Sequence, residues 1–155
     1  MEIERKYLIR ELPPDMPESG SRIEQGYIST DPVIRIRRRT DGDSQQCVLT
    51  VKGSGMVVRE EYELGLTVRQ YEALRPKCTG RMIVKTRYLY PLSNGLRAEV
   101  DLFEGEQQGL VLAEVEFPDE DCMRCFQKPD WFGEEVSEDV RYHNSYMSME
   151  GRNGE

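Results

Sequence analysis

Acidic and basic side chains alternate with mostly apolar ones at the start of this chain. Glu2, Glu4 and Lys6 stand at every second position of the segment Met-Glu-Ile-Glu-Arg-Lys-Tyr-Leu-Ile. Clustered carboxylates suit hard divalent cations such as Mg²⁺ or Mn²⁺, and lysine or arginine clusters suit phosphate oxygens. Two carboxylates beside an ammonium group therefore have the chemistry to bind a metal-bound phosphate.

The same spacing by two recurs along the chain. It is found in six further sets: Arg35, Arg37 and Arg39; Thr50 and Lys52; Arg59, Glu61 and Glu63; Lys85 and Arg87; Arg97, Glu99 and Asp101; Glu114 and Glu116. The residues between them are mostly apolar. Because successive side chains of a strand point to opposite faces, this period predicts half-buried β-strands, each with one charged and one apolar face.

The elements that would position these side chains are mainly strands. Eight strands are predicted at about 2–9, 22–29, 33–39, 46–52, 57–64, 82–90, 96–103 and 110–117. The Asn94-Gly95 pair predicts a tight hairpin turn, and Thr67 with Gln70 forms a capping box that begins a short helix. A second helix is predicted at about 119–126, and residues 150–155 are expected to be a disordered tail. The 155 residues are the length of one domain, 1–155.

The fold class predicted from this pattern is mainly β with a few helices. Eight antiparallel strands linked by hairpins favour a closed eight-stranded β-barrel, which leaves no unpaired edge. If the charged faces point inward, the apolar faces form an outer layer for the helices to cover, and the interior becomes a charged tunnel. The alternative is an ordinary barrel or sandwich with solvated cross-strand charge pairs. The inward arrangement explains more of the sequence.

Composition excludes several classes of partner. The formal net charge is −8, with 29 acidic and 21 basic residues, which does not suit a nucleic-acid polymer. No apolar run is long enough to span a membrane, and the charged start does not resemble a signal peptide. A cytoplasmic location is therefore expected. Cys122 and Cys125 form a C-x-x-C pair, but without a second pair they are expected to be plain thiols.

The charged sets resemble those of a known family. Glu2-x-Glu4-x-Lys6 resembles the E-x-E-x-K signature of the CYTH domain, or triphosphate tunnel metalloenzymes. Further segments resemble the family in the same order: Arg35-x-Arg37, Leu49-Thr50-Val51-Lys52, Glu61-x-Glu63, Lys85-x-Arg87, Glu99-x-Asp101-x-Phe103-x-Gly105, Glu114-x-Glu116-Phe117, and the closing segments 131–136 and 141–144 of short bacterial members. The resemblance covers nearly the whole chain.

This resemblance implies an eight-stranded tunnel that binds a small-molecule triphosphate with Mg²⁺ or Mn²⁺, and pairing into a homodimer is compatible with it. The implied metal ligands are Glu2, Glu4, Glu61, Glu63, Asp101, Glu114 and Glu116, of which Glu4, Glu61, Glu63 and Glu116 are also the implied catalytic carboxylates. The implied phosphate-binding residues are Lys6, Arg35, Arg37, Lys52, Lys85 and Arg87. Arg39, Arg59, Arg97 and Glu99 share these faces without a firm match to the family pattern, and Lys128 has no assigned role. His143 is expected to be a packing or surface residue.

The expected activity is metal-dependent hydrolysis of a triphosphate, most simply inorganic tripolyphosphate, because the chain is short and shows no insert for nucleoside recognition. A thiamine triphosphatase and a class IV-type adenylate cyclase are alternatives within the family. The cyclase would need a base pocket that the sequence does not reveal. A non-catalytic polyphosphate- or nucleotide-binding module is the alternative of another class, but such a module would not need so many carboxylates.

Overall fold

A computed structural model of the protein describes residues 2–150. The strands are β1 (Glu2–Leu8), β2 (Ser21–Thr30), β3 (Val33–Asp41), β4 (Ser44–Lys52), β5 (Val58–Arg59), β6 (Glu61–Leu66), β7 (Thr79–Pro91), β8 (Arg97–Phe103) and β9 (Val111–Glu116). The helices are α1 (Val68–Leu74), α2 (Glu120–Cys125) and α3 (Asn144–Glu150). The predicted disordered tail lies outside the described residues from position 151 onward. None of the helices within 2–150 is long and apolar enough to cross a membrane.

The strands form one antiparallel sheet in the order β5-β1-β9-β8-β7-β2-β3-β4-β6. The predicted strand 57–64 is divided, because β5 pairs with β1 while β6 pairs with β4. Only Glu60 separates these two strands, so the chain itself links the two ends of the sheet. The result is a nearly closed barrel of nine strands, and the antiparallel barrel predicted from the alternation is confirmed.

Helices and loops cover the apolar outer faces of the barrel, as the alternation predicts. On one side Val100, Ala113 and Val115 are fully buried beneath aromatic residues that include Phe126 and Phe132. These residues extend from α2 and the segment after it. On another side a smaller cluster centred on Ile36, Cys47 and Tyr71 lies under α1. The helices therefore hold the strands from outside, which leaves the charged faces on the interior.

A third apolar cluster was not predicted. It joins Ile83, Phe103 and Leu112 of the sheet to Val136 and to the fully buried Met147 of α3. By strand alternation Ile83 shares the face of Lys85, and Leu112 shares the face of Glu114. The cluster therefore lies on the interior face of the barrel, and α3 packs against β7 and β2 beside it.

Helix α1 begins at the predicted capping box. Thr67 accepts a hydrogen bond from the Gln70 N–H at 3.1 Å, and the Gln70 side chain accepts one from the Thr67 N–H at 2.9 Å. The helix is anchored to the barrel by Tyr71, which is fully buried and donates its hydroxyl hydrogen to the Glu24 carboxylate at 2.8 Å. Arg38 and Arg75 donate to the same carboxylate.

We expect Tyr71→Phe to lower the free energy of unfolding by about 1.5–3 kcal/mol, since it removes a buried hydrogen bond to a charged acceptor. Urea unfolding measures this change. The matched control is Tyr90→Phe, which removes a hydrogen bond to Asp15 at an exposed position. The control should cost less than about 0.5 kcal/mol, and equal losses in both variants would contradict the anchoring role of Tyr71.

Candidate active site

The barrel encloses a cavity of about 610 Å³, which we call the tunnel. Every residue predicted for the site lines it except Asp101: Glu2, Glu4, Lys6, Arg35, Arg37, Lys52, Glu61, Glu63, Lys85, Arg87, Glu114 and Glu116. Arg59, Arg97 and Glu99 also line the tunnel. The charged faces of the strands therefore point inward, and the alternative of solvated outer charges is wrong.

Strand register brings the acids and bases together. Glu4 lies opposite Glu116 across β1 and β9, and Lys6 lies opposite Glu114 two residues further along. Across β4 and β6, Lys52 lies opposite Glu61. Residues directly opposite on one face of an antiparallel pair have neighbouring Cβ atoms, so each of these pairs places two charged groups in contact range.

One end of the tunnel wall is a network of carboxylates around Lys52. The Lys52 Nζ lies 3.1 and 3.2 Å from the two Glu2 oxygens and 3.4 Å from Glu61 Oε2. The Arg59 Nε donates to Glu2 Oε1 at 3.2 Å. Burial acts to raise the pKa of Glu2, but Lys52, Glu61 and Arg59 together hold it below its ordinary value. Burial and the carboxylates of Glu2 and Glu63 raise the pKa of Glu61.

Glu4 is the carboxylate that lacks positive charge most clearly. Its nearest ion-pair partner, Arg59, is 4.0 Å away and also pairs with Glu2. Burial, followed by the carboxylates of Glu114 and Glu2, raises the pKa of Glu4 to about 8. Burial and neighbouring carboxylates also raise the pKa of Glu116, its partner across the strands. This part of the tunnel therefore holds more negative charge than the protein neutralises.

Arg35 and Arg37 show the opposite imbalance. Within residues 2–150 neither guanidinium makes an ion pair. Arg35 donates to Thr50 Oγ1 at 3.3 Å while its buried Nε has no hydrogen-bond partner, and Arg37 donates to Gln25 Oε1 at 3.1 Å. Burial, with help from Arg35 and Arg87, lowers the pKa of Arg37 to about 9. The tunnel therefore contains buried positive charge without a counter-ion.

Asp101 lies behind the tunnel lining, among cations. Arg87 donates to both of its oxygens, at 2.7 and 2.8 Å, and the Lys85 Nζ lies 2.7 Å from Oδ2. Burial acts to raise the pKa of Asp101, but Arg87 and Lys85 keep it below its ordinary value. For Lys85, burial lowers the pKa to about 7 despite Asp101, with Arg87 and Arg37 acting in the same direction. Asp101 thus holds the two bases in place.

The tunnel fits a divalent metal by its chemistry. The carboxylates on its lining offer oxygen ligands, which Mg²⁺ and Mn²⁺ prefer. Burial and neighbouring carboxylates raise the pKa of Glu4 and Glu116, so a bound cation would favour their ionised forms. Among the residues described, no three histidine, cysteine or carboxylate side chains already converge at metal-binding distances. The donor set is thus suitable, while its present spacing is wider than that of a coordinated ion.

Several tunnel residues were missed because their segments carry no charged alternation. Asn144 accepts a hydrogen bond from Lys85 at 3.1 Å, and the Tyr142 carbonyl accepts one from Lys6 at 3.0 Å. His143, expected to be structural or exposed, lines the tunnel, and its Nε2 lies 2.8 Å from the Ser137 carbonyl oxygen. The segment follows no strand period, so the sequence held no signal for its position.

The residues without a firm family match divide into two groups. Arg59 and Glu99 are bound to other tunnel residues, since Arg59 contacts Glu2 and Glu99 lies 3.3 Å from Arg87. Arg39 instead pairs with Asp41 at 3.1 Å, and Lys128 donates to the Gly133 carbonyl at 2.8 Å. Neither Arg39 nor Lys128 is among the residues that line the tunnel.

No protein-family model matches the chain. Two curated relatives do, and both are named inorganic triphosphatase. The protein from Nitrosomonas europaea is 40% identical over 148 residues, covering 96% of this chain and 97% of the relative. The protein from Acetivibrio thermocellus is also 40% identical over 148 residues, covering 94% and 92%.

A solved structure supports the same relationship. The crystal structure of an inorganic triphosphatase is 38% identical to this chain and covers 96% of it, with 95% of that chain aligned and a TM-score of 0.68. The matches cover nearly the whole chain. The chain therefore belongs to the inorganic triphosphatase family, whose members are hydrolases that act on phosphoric anhydrides.

Proposed function

We propose that this protein hydrolyses inorganic tripolyphosphate inside the tunnel, with Mg²⁺ or Mn²⁺, as a member of the CYTH or triphosphate tunnel class. The observation that carries the proposal is that one cavity contains both arginines without a counter-ion and carboxylates with a raised pKa. In the described part of the chain Arg35 and Arg37 have no counter-ion, while burial and neighbouring carboxylates disfavour the ionised forms of Glu4 and Glu116. A metal-bound triphosphate would neutralise both groups at once.

The metal would be held by carboxylates from strands β1, β9 and β6. We assign Glu4 and Glu116 as its central ligands, and the others are Glu2, Glu61, Glu63 and Glu114, all on the tunnel lining. When bound, such an ion would neutralise phosphate charge and lower the pKa of a coordinated water. We leave Asp101 out of this set because both its oxygens are already bound by cations.

The chain's own residues would supply positioning and charge. Arginine and lysine side chains would bind the non-bridging phosphate oxygens: Lys6, Arg35, Arg37, Lys52, Lys85 and Arg87. Glu4, Glu61, Glu63 and Glu116 would orient the attacking water in line with the phosphorus. Because phosphoryl transfer depends mainly on positioning and on neutralising charge, a rigid set of buried cations provides the larger part of the catalysis.

The raised pKa of Glu4 predicts how stability changes with pH in metal-free protein. Its folded-state pKa of about 8 lies above the ordinary value of 4.5, so the proton favours the folded state. That stability is complete below about pH 4.5 and is lost as the pH rises through about 8. We expect a loss on the order of 2–4 kcal/mol in the free energy of unfolding between pH 5 and pH 8.

Chemical unfolding in a metal chelator, at several pH values, measures this loss. Mg²⁺ should restore stability at pH 8 more than at pH 5, because the cation takes the place of the proton. Glu4→Gln is the control, since its amide cannot ionise and its stability should vary less over this range. A wild-type protein that becomes more stable from pH 5 to pH 8 without metal would contradict the prediction.

A substrate panel tests the proposed function. Purified protein is incubated with tripolyphosphate, ATP or thiamine triphosphate and either Mg²⁺ or Mn²⁺, and phosphate and cyclic AMP are measured. We expect the highest kcat/KM for phosphate release from tripolyphosphate. Cyclic AMP formation from ATP without phosphate release would overturn the proposal in favour of the cyclase, and binding without turnover would favour the non-catalytic module. The cytoplasmic location stays a prediction.

A further inference from the structure

The segment 142–144, which we call the clamp, contacts two of the lysines assigned above to phosphate binding. The Lys6 Nζ donates to the Tyr142 carbonyl oxygen at 3.0 Å, and the Lys85 Nζ donates to Asn144 Oδ1 at 3.1 Å. These lysines lie on β1 and β7, which are separated by two strands in the sheet. One short segment therefore bridges two bases that the sheet holds apart.

Each of the two ammonium groups has one carboxylate and one neutral oxygen beside it. The Lys6 Nζ lies 3.7 Å from Glu114 Oε1, and the Lys85 Nζ lies 2.7 Å from Asp101 Oδ2. Among the described residues, this carboxylate and the clamp oxygen are the only oxygen partners of each Nζ. An ammonium group has three N–H donors, so at least one remains for a phosphate oxygen. Both lysines line the tunnel in which that phosphate would bind.

The neutral oxygens of the clamp fix the direction of an ammonium group without cancelling its charge. A second carboxylate at the same place would neutralise the lysine and weaken its attraction for a polyanion. For Lys85, the charge of Asp101 is already shared with Arg87, which donates to both carboxylate oxygens. The amide of Asn144 therefore orients Lys85 and leaves positive charge for the substrate.

The clamp is itself held in place by its neighbours in the chain. The His143 Nε2 lies 2.8 Å from the Ser137 carbonyl oxygen, and the Ser137 hydroxyl accepts a hydrogen bond from the Lys6 N–H at 2.9 Å. On the other side, the Met147 N–H donates to the His143 carbonyl at 3.0 Å, and Met147 is fully buried. The two clamp oxygens consequently have fixed positions, although the segment belongs to no strand.

We propose that Asn144 is a positioning residue for triphosphate binding, which orients the Lys85 ammonium group toward the phosphates, and that the Tyr142 carbonyl does the same for Lys6. This role rests on the proposed function, because it requires that the two lysines bind the substrate. A main-chain carbonyl is not removed by a side-chain substitution. Asn144 is therefore the residue through which the clamp is tested.

Asn144→Asp tests whether the neutral oxygen matters. Aspartate has the same shape and is favourable in the first turn of a helix, where this residue begins α3, so the fold should be kept. Its carboxylate would neutralise Lys85, and we expect the dissociation constant for tripolyphosphate to rise at least about tenfold. Titration calorimetry measures it in a metal chelator, without metal-dependent hydrolysis, at pH 6, below the Lys85 pKa of about 7. An unchanged dissociation constant would overturn the proposal.

A double-mutant cycle tests whether Asn144 acts through Lys85. Asn144→Ala removes a hydrogen bond to a charged group and should raise the same dissociation constant about tenfold. In a Lys85→Met background there is no ammonium group to orient, so Asn144→Ala should change the constant less than about twofold. Equal losses in the two backgrounds would mean that Asn144 acts without Lys85, and would overturn the positioning role.

Ser148→Ala is the matched structural control. Ser148 is fully buried on α3 and donates to the Ser145 carbonyl at 2.7 Å, so the substitution weakens the same helix and removes no contact with either lysine. It should leave the dissociation constant within about twofold of the wild type. A loss equal to that of Asn144→Ala would overturn the positioning role. A wild type that binds tripolyphosphate but does not hydrolyse it with Mg²⁺ or Mn²⁺ would overturn the proposed function alone, because the cycle is measured by binding.

Discussion

We expect Glu4→Gln to lower kcat for tripolyphosphate by at least about 100-fold while leaving the protein folded. Glu4 is half-buried beside the carboxylates of Glu2 and Glu114, and the Glu116 backbone lies directly opposite across β1 and β9. Glutamine has the same size but no negative charge, so the central metal ligand is lost. Phosphate release at saturating Mg²⁺ measures the effect.

The same substitution should not destabilise the metal-free protein at pH 8. In the wild type, Glu4 must either retain a proton or repel its neighbours, and glutamine removes this conflict. Glu104→Gln is the matched control, because it breaks an exposed pair with Arg22 and Glu104 does not line the tunnel. Turnover of Glu4→Gln within tenfold of the wild type would remove Glu4 from the site.

The second large effect is expected from Asp101→Asn. Asparagine keeps the shape of the side chain but leaves Lys85 and Arg87 without their closest counter-ion. Breaking a buried ion pair from one side typically costs about 3–5 kcal/mol, and we expect a loss of that size in the free energy of unfolding. Urea unfolding measures it, with and without tripolyphosphate and Mg²⁺.

Tripolyphosphate distinguishes this role from metal binding. Its negative charge would replace that of Asp101, so it should stabilise the variant more than the wild type. The control is Asp41→Asn, which breaks an exposed pair with Arg39 and should cost less than about 1 kcal/mol. An Asp101→Asn protein of unchanged stability but weaker Mg²⁺ affinity would return Asp101 to the metal ligands.

The contrast between Glu4 and Asp101 defines what strand alternation can predict. Both residues stand on charged faces, and the period of two correctly turns both inward. Alternation predicts which face of the sheet a residue lies on. It does not predict which side chains the residue contacts, because those come from other strands of the barrel. The family resemblance implied that Asp101 is a ligand, and its face agreed with that role, while its two cations became visible only in the folded chain.

The division of the predicted strand 57–64 has a similar cause. Glu60 places a charge on the face that Val58 and Tyr62 make apolar, but one such residue does not by itself predict a break in a strand. The interruption is a property of the closed barrel, in which Val58 and Arg59 pair with β1 and Glu61 begins the pairing with β4. The local period of the sequence does not predict which residues pair with β1 and which pair with β4.

The position of the closing segment was also beyond local pattern. Met147 is fully buried and Asn144 binds Lys85, yet residues 142–147 mix polar and aromatic types without a strand period. Their position depends on contacts with strands that are more than 50 residues away in the chain. Capping and turn signals were reliable by comparison, because Thr67 with Gln70 and Asn94 with Gly95 act within a few residues.

The most direct test of the metal-dependent tunnel is crystallographic. Crystals are soaked with Mn²⁺ and a hydrolysis-resistant tripolyphosphate analogue, and the anomalous signal of manganese locates the ion. We predict an ion bound by the Glu4 and Glu116 carboxylates, with phosphate oxygens of the analogue on Arg35 and Arg37. Manganese bound only outside the tunnel, or an analogue that occupies the tunnel without any ion, would contradict this account.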